Sequence, residues 1–515
     1  MRTKNSFLNF MANTGSHLLN ILLSFVCRTV FIYTLSVEYL GINGLFGNVL
    51  TVLSFAELGI GTAMIYKLYR PVYENDRVEI QKLMNLYRRL YVAVAAVIAA
   101  AGLCLLPFLP KLIADYDSYR DLENLTLIYL LFLFDAVSSY FFSYKRSIIY
   151  AHQKMYITTM IDTVCTVSQF LVQIILLVAY KKFLVYLLVQ VITSITKNVI
   201  CSAMADRMYP YLKEDKRSLP SKETRKDIGK NISAMALHKL GDIVVNNTDN
   251  LLMSAFVGLK SVGVYSNYIL IQSTVFTALN GFFGAFTASI GNLGAEEDKE
   301  RMYQVFKTLN FLGFWMYGFC ATAFMVLYNP FIRLWAGESY LFPMWLVFLI
   351  VLVFYLNGVR KVNLTFRDAM GLYWYDRYKP LAEIIINLGV SLFAVIKIGI
   401  AGIFVGTVVS VLSTCFWVEP LVTFKYGFHR SVAEYFKAYG LYTLVVALDG
   451  TLCYALCDHL APDGIPGILV RAILCVVVYN GIVFVLFHKT EEWKEILRRT
   501  LQILKRRSTS EEMKG

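Results

Sequence analysis

The residues that could do chemistry are polar groups stranded inside apolar runs. Arg28 interrupts the first apolar stretch roughly a turn past its middle. A charge at that depth is costly and must face other protein or a wet cavity. Two readings follow. One is a structural ion pair, for example with Glu57 on the next helix. The other is an anion-binding group, because guanidinium geometry suits phosphate oxygens bidentately. A second concentration lies in MALHKLGDIVVNNTDNLLM, where His238, Lys239, Asp242, Asn246, Asp249 and Asn250 occur within thirteen positions. Asp242, Asn246, Asp249 and Asn250 recur at helical spacings of three and four, so they form one polar stripe. The stripe is either a polar bundle contact or a cavity wall offering partners to a sugar, a pyrophosphate or an ion. Lys239 is near the inner end and can also snorkel. Lys197, about two turns from the inner end of its helix, has the same two options. Glu57 and Asp135, with Asp249, are candidates for ion coupling, because burial raises a carboxylate pKa into a range where it can carry a proton. Asp162, Glu383, Glu419 and Asp449 are further isolated acids, read as structural partners.

Enzyme chemistry finds little support. The chain has no nucleophile elbow, phosphate-binding glycine loop, HExxH or paired-carboxylate motif. Its nine cysteines sit in apolar runs, none in a CxxC pair, and read as packing residues. His17, His152, His429, His459 and His488 have no companions at ligand spacing. No metal and no cofactor is expected.

The elements that must position these groups are membrane helices. Of 515 residues, 57% are hydrophobic and 17% charged, against about 45–50% and about 25% in soluble domains. A soluble fold could not hide that much apolar surface. Hydropathy gives fourteen spans, near 13–35, 42–66, 90–110, 124–144, 156–180, 183–205, 231–257, 262–292, 308–328, 341–359, 380–397, 400–424, 438–458 and 467–488. The first follows Arg2 and Lys4 but lacks a small-x-small cleavage site, so it is expected to remain as an uncleaved helix. The tail 489–515 is basic, with Trp493, Ile496, Leu497, Thr500, Leu501 and Leu504 on one stripe, and suits a helix lying in the inner membrane surface.

The net charge of +13 would suggest nucleic acid in a soluble protein; here its placement points to the membrane instead. With the N-terminus inside, 38 of the 49 Lys and Arg residues fall on inner segments and 8 on outer ones. That asymmetry predicts both termini in the cytoplasm and an even number of spans. A shift of 222 residues aligns Ser36–Ala56 on Gly258–Ala278 without gaps, with Gly41 on Gly263 and Ala56 on Ala278. It also places Asp135 on Asn357 and Lys145 on Arg367. A six-helix repeat unit puts both copies the same way up, related by an axis along the membrane normal. The expected organisation is a six-helix lobe over 1–205, a cytoplasmic linker over 206–230, a second six-helix lobe over 231–424, two additional transmembrane helices over 425–488, and the tail.

The stretch EYLGINGLFGNVLTVLSFAELGIGTAMIYKLYRP (38–71), with Arg28 before it, resembles the first-to-second-helix signature of bacterial oligosaccharide flippases. These form the polysaccharide transporter branch of the multidrug/oligosaccharidyl-lipid/polysaccharide exporter superfamily. The resemblance implies an all-α polytopic membrane protein with two six-helix lobes around a central cavity plus two peripheral helices. It implies a multi-pass protein of the bacterial cytoplasmic membrane that moves a polyprenyl-pyrophosphate-linked oligosaccharide from the inner to the outer leaflet for surface polysaccharide biosynthesis. Partners would be the lipid-linked oligosaccharide, membrane lipids, H+ or Na+, and a polysaccharide polymerase and glycosyltransferases; nucleic acid is not among them. Arg28 carries over as the cavity cation with most weight, Lys197 and Lys239 with less. Asp242, Asn246 and Asn250 are assigned to substrate on the residue reading alone. The rivals are a cation-coupled multidrug antiporter of the same superfamily, which favours an acidic cavity, a membrane-bound glycan polymerase, and a purely structural scaffold.

Overall fold

The computed structural model describes residues 2–512 except 58, 59, 115, 120, 121, 216 and 296–298. Within helices it describes side chains at all positions but 2–7, 10, 14, 55, 56, 62, 118, 230, 231, 233–246, 288, 292, 294, 295, 373, 500 and 503–512. Among the described residues every regular element is helical. The chain divides into two compact units, 1–266 and 267–515.

The first unit contains α1 (Arg2–Thr34), α2 (Val37–Leu53), α3 (Ile60–Glu74), α4 (Arg77–Leu105), α5 (Leu109–Leu112), α6 (Leu125–Ser143), α7 (Arg146–Ala151), α8 (Met155–Tyr180), α9 (Phe183–Met208), α10 (Lys222–Phe256) and the start of α11 (Leu259–Gly284). Here α1 packs on α8, α8 on α9, α9 on α6, α6 on α4, and α10 on α2. The second unit takes the rest of α11, then α12 (Thr287–Ala295), α13 (Lys299–Ala336), α14 (Met344–Val359), α15 (Lys361–Ala369), α16 (Lys379–Ile398), α17 (Ile400–Ser410), α18 (Phe416–Val422), α19 (Ala433–Leu460), α20 (Gly464–Phe487) and α21 (Glu491–Glu512). In it α13 is the central element, against α14, α19 and α20, while α16 packs on α17.

Twelve helical segments among the described residues are long and apolar enough to cross a membrane. Two others complete the fourteen expected spans. One is α2, apolar but only 17 residues long. The other is α10, 35 residues long but too polar to register by hydropathy. The span expected over 42–66 is not one helix: α2 gives way to a 3₁₀ turn, Ser54–Glu57, before α3 begins. Apolar patterning runs across that break, so hydropathy could not see it.

Local chemistry sets the helix boundaries. Asp76 caps α4 by accepting the Glu79 N–H at 3.0 Å, and Asn124 caps α6 by accepting that of Leu127 at 3.1 Å. The start of α9 has no cap of its own; the Glu123 carboxylate accepts the Phe183 and Leu184 N–H groups at 2.8 and 2.6 Å. Nine free cysteines remain unbridged, six of them buried; Cys453, Cys457 and Cys475 pack together with Val326. In α21, Trp493 packs on Phe311, Trp315 and Phe484, whereas Leu497 and Leu501 of the expected stripe stay about half exposed.

The offset of 222 residues reappears in the helix boundaries. Helix α1 ends at Thr34 and α10 at Phe256; α2 begins at Val37 and α11 at Leu259; α4 begins at Arg77 and α13 at Lys299.

Candidate polar site on α1, α10 and α11

Arg28 lies on α1 and reaches α11, where its guanidinium donates to the Ser266 hydroxyl. Ser266 in turn donates to the Gly263 carbonyl at 2.6 Å, which leaves its oxygen lone pairs for the arginine. The guanidinium therefore faces protein polar groups rather than acyl chains. Asp249 of α10 lies close enough to act electrostatically on Tyr265, the residue before Ser266. Three elements thus bring Arg28, Asp249, Tyr265 and Ser266 to one level. The Asp249 and Asn250 Oδ1 atoms are buried without a hydrogen-bond partner. Such acceptors are costly unless something meets them.

The site has the symmetry of the repeat. A shift of 222 takes Arg28 to Asn250 and Gly44 to Ser266. The Arg28–Ser266 contact has its counterpart in Asn250 and Gly44, where a Cβ on the glycine would stand 4.0 Å from the amide nitrogen. The same holds one turn away. A Cβ on Gly41 would meet the Leu259 carbonyl oxygen at 2.0 Å, and one on Gly263 would meet that of Val37 at 2.2 Å. These four positions are also exchanged by the shift, 37 with 259 and 41 with 263. Only glycine permits the approach, because the obstacle is backbone and cannot swing aside.

The other expected site residues fall elsewhere. Asp135 on α6 faces Lys197 and Ser194 on α9, so those two candidates pair with each other, and the Asp135 Oδ1 is buried with no hydrogen bond. Glu57 accepts from the Tyr91 hydroxyl, which is 3.1 Å from that of Tyr87, and Tyr140 joins the same group. The carboxylate of Glu57 is thus engaged by tyrosines at the α2–α3 break. Lys239, Asp242 and Asn246 lie on α10, but their side chains are outside the described residues.

Sequence reasoning missed two buried ion-pair networks. Arg146, from the short α7, holds Asp162 of α8 bidentately at 2.7 and 2.8 Å and reaches Asn198 of α9 at 3.2 Å. In the second unit Arg360 holds both oxygens of Glu419 and donates to Asn357 at 2.9 Å, while Lys379 donates to Glu419 at 2.6 Å. Glu383 stands 3.6 Å from Arg360. Asp162, Glu383 and Glu419 were legible as isolated acids; their partners lie in loops of basic residues that read only as topology signals. Asp449 accepts from Thr322 at 3.2 Å. Among the described residues no group of three or more His, Cys, Asp or Glu side chains could hold a metal ion.

The architecture has known counterparts among solved structures. A lipid II flippase, MurJ, in its inward closed conformation superposes with a TM-score of 0.65 over 94% of this chain and 99% of that one, at 10% identity. The chain has the fold of that flippase. The same architecture relates it to an inward-facing multidrug resistance MATE family transporter of the MOP superfamily, with a TM-score of 0.61, 15% identity, and 78% and 94% of the two chains covered. A mutant form of the Vibrio cholerae MATE transporter VcmN follows at 0.56 and 15% identity, over 84% and 99%. No family model and no curated protein matches the sequence.

Proposed function

We propose that the protein is a flippase of the bacterial cytoplasmic membrane that carries a polyprenyl-pyrophosphate-linked oligosaccharide from the inner to the outer leaflet by alternating access. The single observation that carries this reading is Arg28: a cation at membrane depth that is turned inward onto Ser266. A doubly charged head group cannot cross hydrocarbon unaided, and a cation inside the bundle removes much of that cost. In this reading Arg28 binds the pyrophosphate, and Asn250, with Asn246 and Asp242, meets sugar hydroxyls. Lys197 or Lys239 adds a second cation. Asp249 suits coupling to H+ or Na+, since its carboxylate is short of hydrogen bonds; Glu57 and Asp135 are the other coupling candidates. The lobes are 1–205 and 231–424 around a central cavity, joined by the linker 206–230, with both termini cytoplasmic. Transport rather than enzymatic turnover is the role. The products would feed a polysaccharide polymerase, after glycosyltransferases have built the substrate.

The test is complementation of surface polysaccharide in a deletion strain, together with an assay for lipid-linked oligosaccharide trapped on the inner leaflet. Arg28→Ala should abolish complementation at normal expression, and Arg28→Lys should retain part. Full complementation by Arg28→Ala removes the anion-binding role. The likeness to MATE transporters supports a second reading, a cation-coupled multidrug antiporter. It predicts drug hypersensitivity of the deletion strain with unchanged surface polysaccharide.

A further inference from the structure

A pocket outside the site just described lies in the first unit, where α4, α6 and α9 end beside the turn at Pro210–Lys213. Its volume is about 260 Å³, and its lining includes Arg88, Lys145, Lys213, Asp206, Tyr144 and Phe141. The three cations come from three different elements. Each sits where an apolar run starts or stops: Arg88 just before the apolar part of α4, Lys145 just after α6, Lys213 just after α9. They therefore share the level at which hydrocarbon gives way to head groups.

The charges do not cancel. Asp206 is held by Lys145 at 2.7 and 2.8 Å and lies 3.7 Å from Lys213. Arg88 is exposed, acts on Tyr144, and among the described residues pairs with no carboxylate. One acid therefore faces three bases. Next to this polar pocket runs an apolar track. Leu127, Phe134 and Phe141 recur every seven residues along α6, and they are 43%, 55% and 49% exposed. That spacing keeps them on one face, and the last of them lines the pocket. A phosphate-bearing group with acyl chains attached fits both features at once; a free phosphate would use only the first.

We infer that this pocket binds the head group of an anionic phospholipid, its phosphate on Arg88 and Lys213 and its acyl chains along the Leu127–Phe134–Phe141 face of α6. Arg88 offers the planar fork that a phosphodiester accepts, and Lys213 adds a mobile point charge. Lys145 stays with Asp206 and fixes the α6–α9 end of the pocket. Which leaflet supplies the lipid follows from the orientation proposed above; the binding itself does not depend on it, nor on the transported substrate.

The experiment uses the full-length protein in detergent and counts lipid retained in native mass spectrometry. Dioleoyl-phosphatidylglycerol and dioleoyl-phosphatidylcholine are offered separately, and inorganic phosphate is the competitor. The wild type should retain phosphatidylglycerol at least fivefold over phosphatidylcholine, undisturbed by millimolar phosphate. Arg88→Gln combined with Lys213→Gln should bring it to the phosphatidylcholine level, Arg88→Lys should keep most of it, and Lys226→Gln, elsewhere on α10, should change nothing. Melting curves of each variant report folding separately. Wild-type retention by the folded double variant, or equal retention of the two lipids, overturns the inference. Displacement by inorganic phosphate also overturns it, by assigning the pocket to a soluble phosphate.

Discussion

Buried charges in this protein come in two kinds, and their partners tell them apart. Arg360 and Glu419 satisfy each other, with Lys379 and Asn357 completing the network. Arg28 instead meets a hydroxyl, Ser266. Removing one member of a closed pair leaves the other desolvated and unmatched. Arg360→Ala should therefore cost about 3–5 kcal/mol, read as a large drop in melting temperature. Arg70→Ala, which breaks an exposed pair with Glu74, should leave it nearly unchanged. His152 supplies the pH dependence. Burial, then the nearby Lys154 ammonium, hold its pKa below the ordinary 6.5, against the opposing hydrogen bond to the Ile148 carbonyl at 2.9 Å. The folded state thus favours the neutral ring, which stacks on Tyr209 at 4.4 Å. Its contribution is fully present above 6.5 and is lost as pH falls from there through the depressed folded value. Melting temperature should decline over that interval in the wild type and decline less in His152→Phe; an equal decline would place the titrating group elsewhere. At this scale the sequence was readable where a charge stood alone in an apolar run, as Arg28 did. It was unreadable where the partner came from a loop, as with Arg146 and Asp162, because only the tertiary fold brings them together.

Helices declare themselves by length and hydropathy, but their ends are set by contacts that hydropathy does not carry. That is why twelve spans are unambiguous, while α2 and α10 had to be argued from the topology of basic residues. It is also why the 3₁₀ break at Ser54–Glu57 was invisible: Glu57 reads as one acid in an apolar run until Tyr91 and Tyr140 are seen around it. The start of α9 shows the same dependence. Lys181 adopts a left-handed conformation at φ 50° to end α8, and Glu123, some sixty residues earlier, then caps the first turn of α9. Glu123→Gln keeps the acceptor oxygen but removes the charge, so it should cost less than Glu123→Ala, for which about 1 kcal/mol is expected. Thermal melts of the two variants check the order, and identical losses would mean that the carboxylate acts by packing alone.

The repeat is the feature of the whole chain that sequence and structure share. It was visible as a gapless alignment, and it returns as helix boundaries 222 residues apart and as contacts exchanged by the same shift. Its tightest expression is the reciprocal approach of Gly41 to Leu259 and of Gly263 to Val37, at which an added Cβ would stand 2.0 and 2.2 Å from a carbonyl oxygen. The Gly263 carbonyl also accepts from Ser266, the hydroxyl that Arg28 holds. In the proposed reading, a phosphate that draws Arg28 away from Ser266 acts one turn from this glycine contact, so substrate binding and the parting of the α2 and α11 starts share one structural element. A prediction follows from the symmetry. Gly41→Ala and Gly263→Ala each push the same two backbones apart, at about 1–3 kcal/mol apiece. Their losses in melting temperature should match. The double variant should lose less than the sum, because the first substitution already opens the space the second needs. In a cysteine-free background, a reporter cysteine at Tyr39 should become more reactive to a membrane-impermeant thiol reagent in either variant. Additive losses, or a rise in reactivity for one glycine and not the other, would mean that the two halves meet by packing without a shared contact.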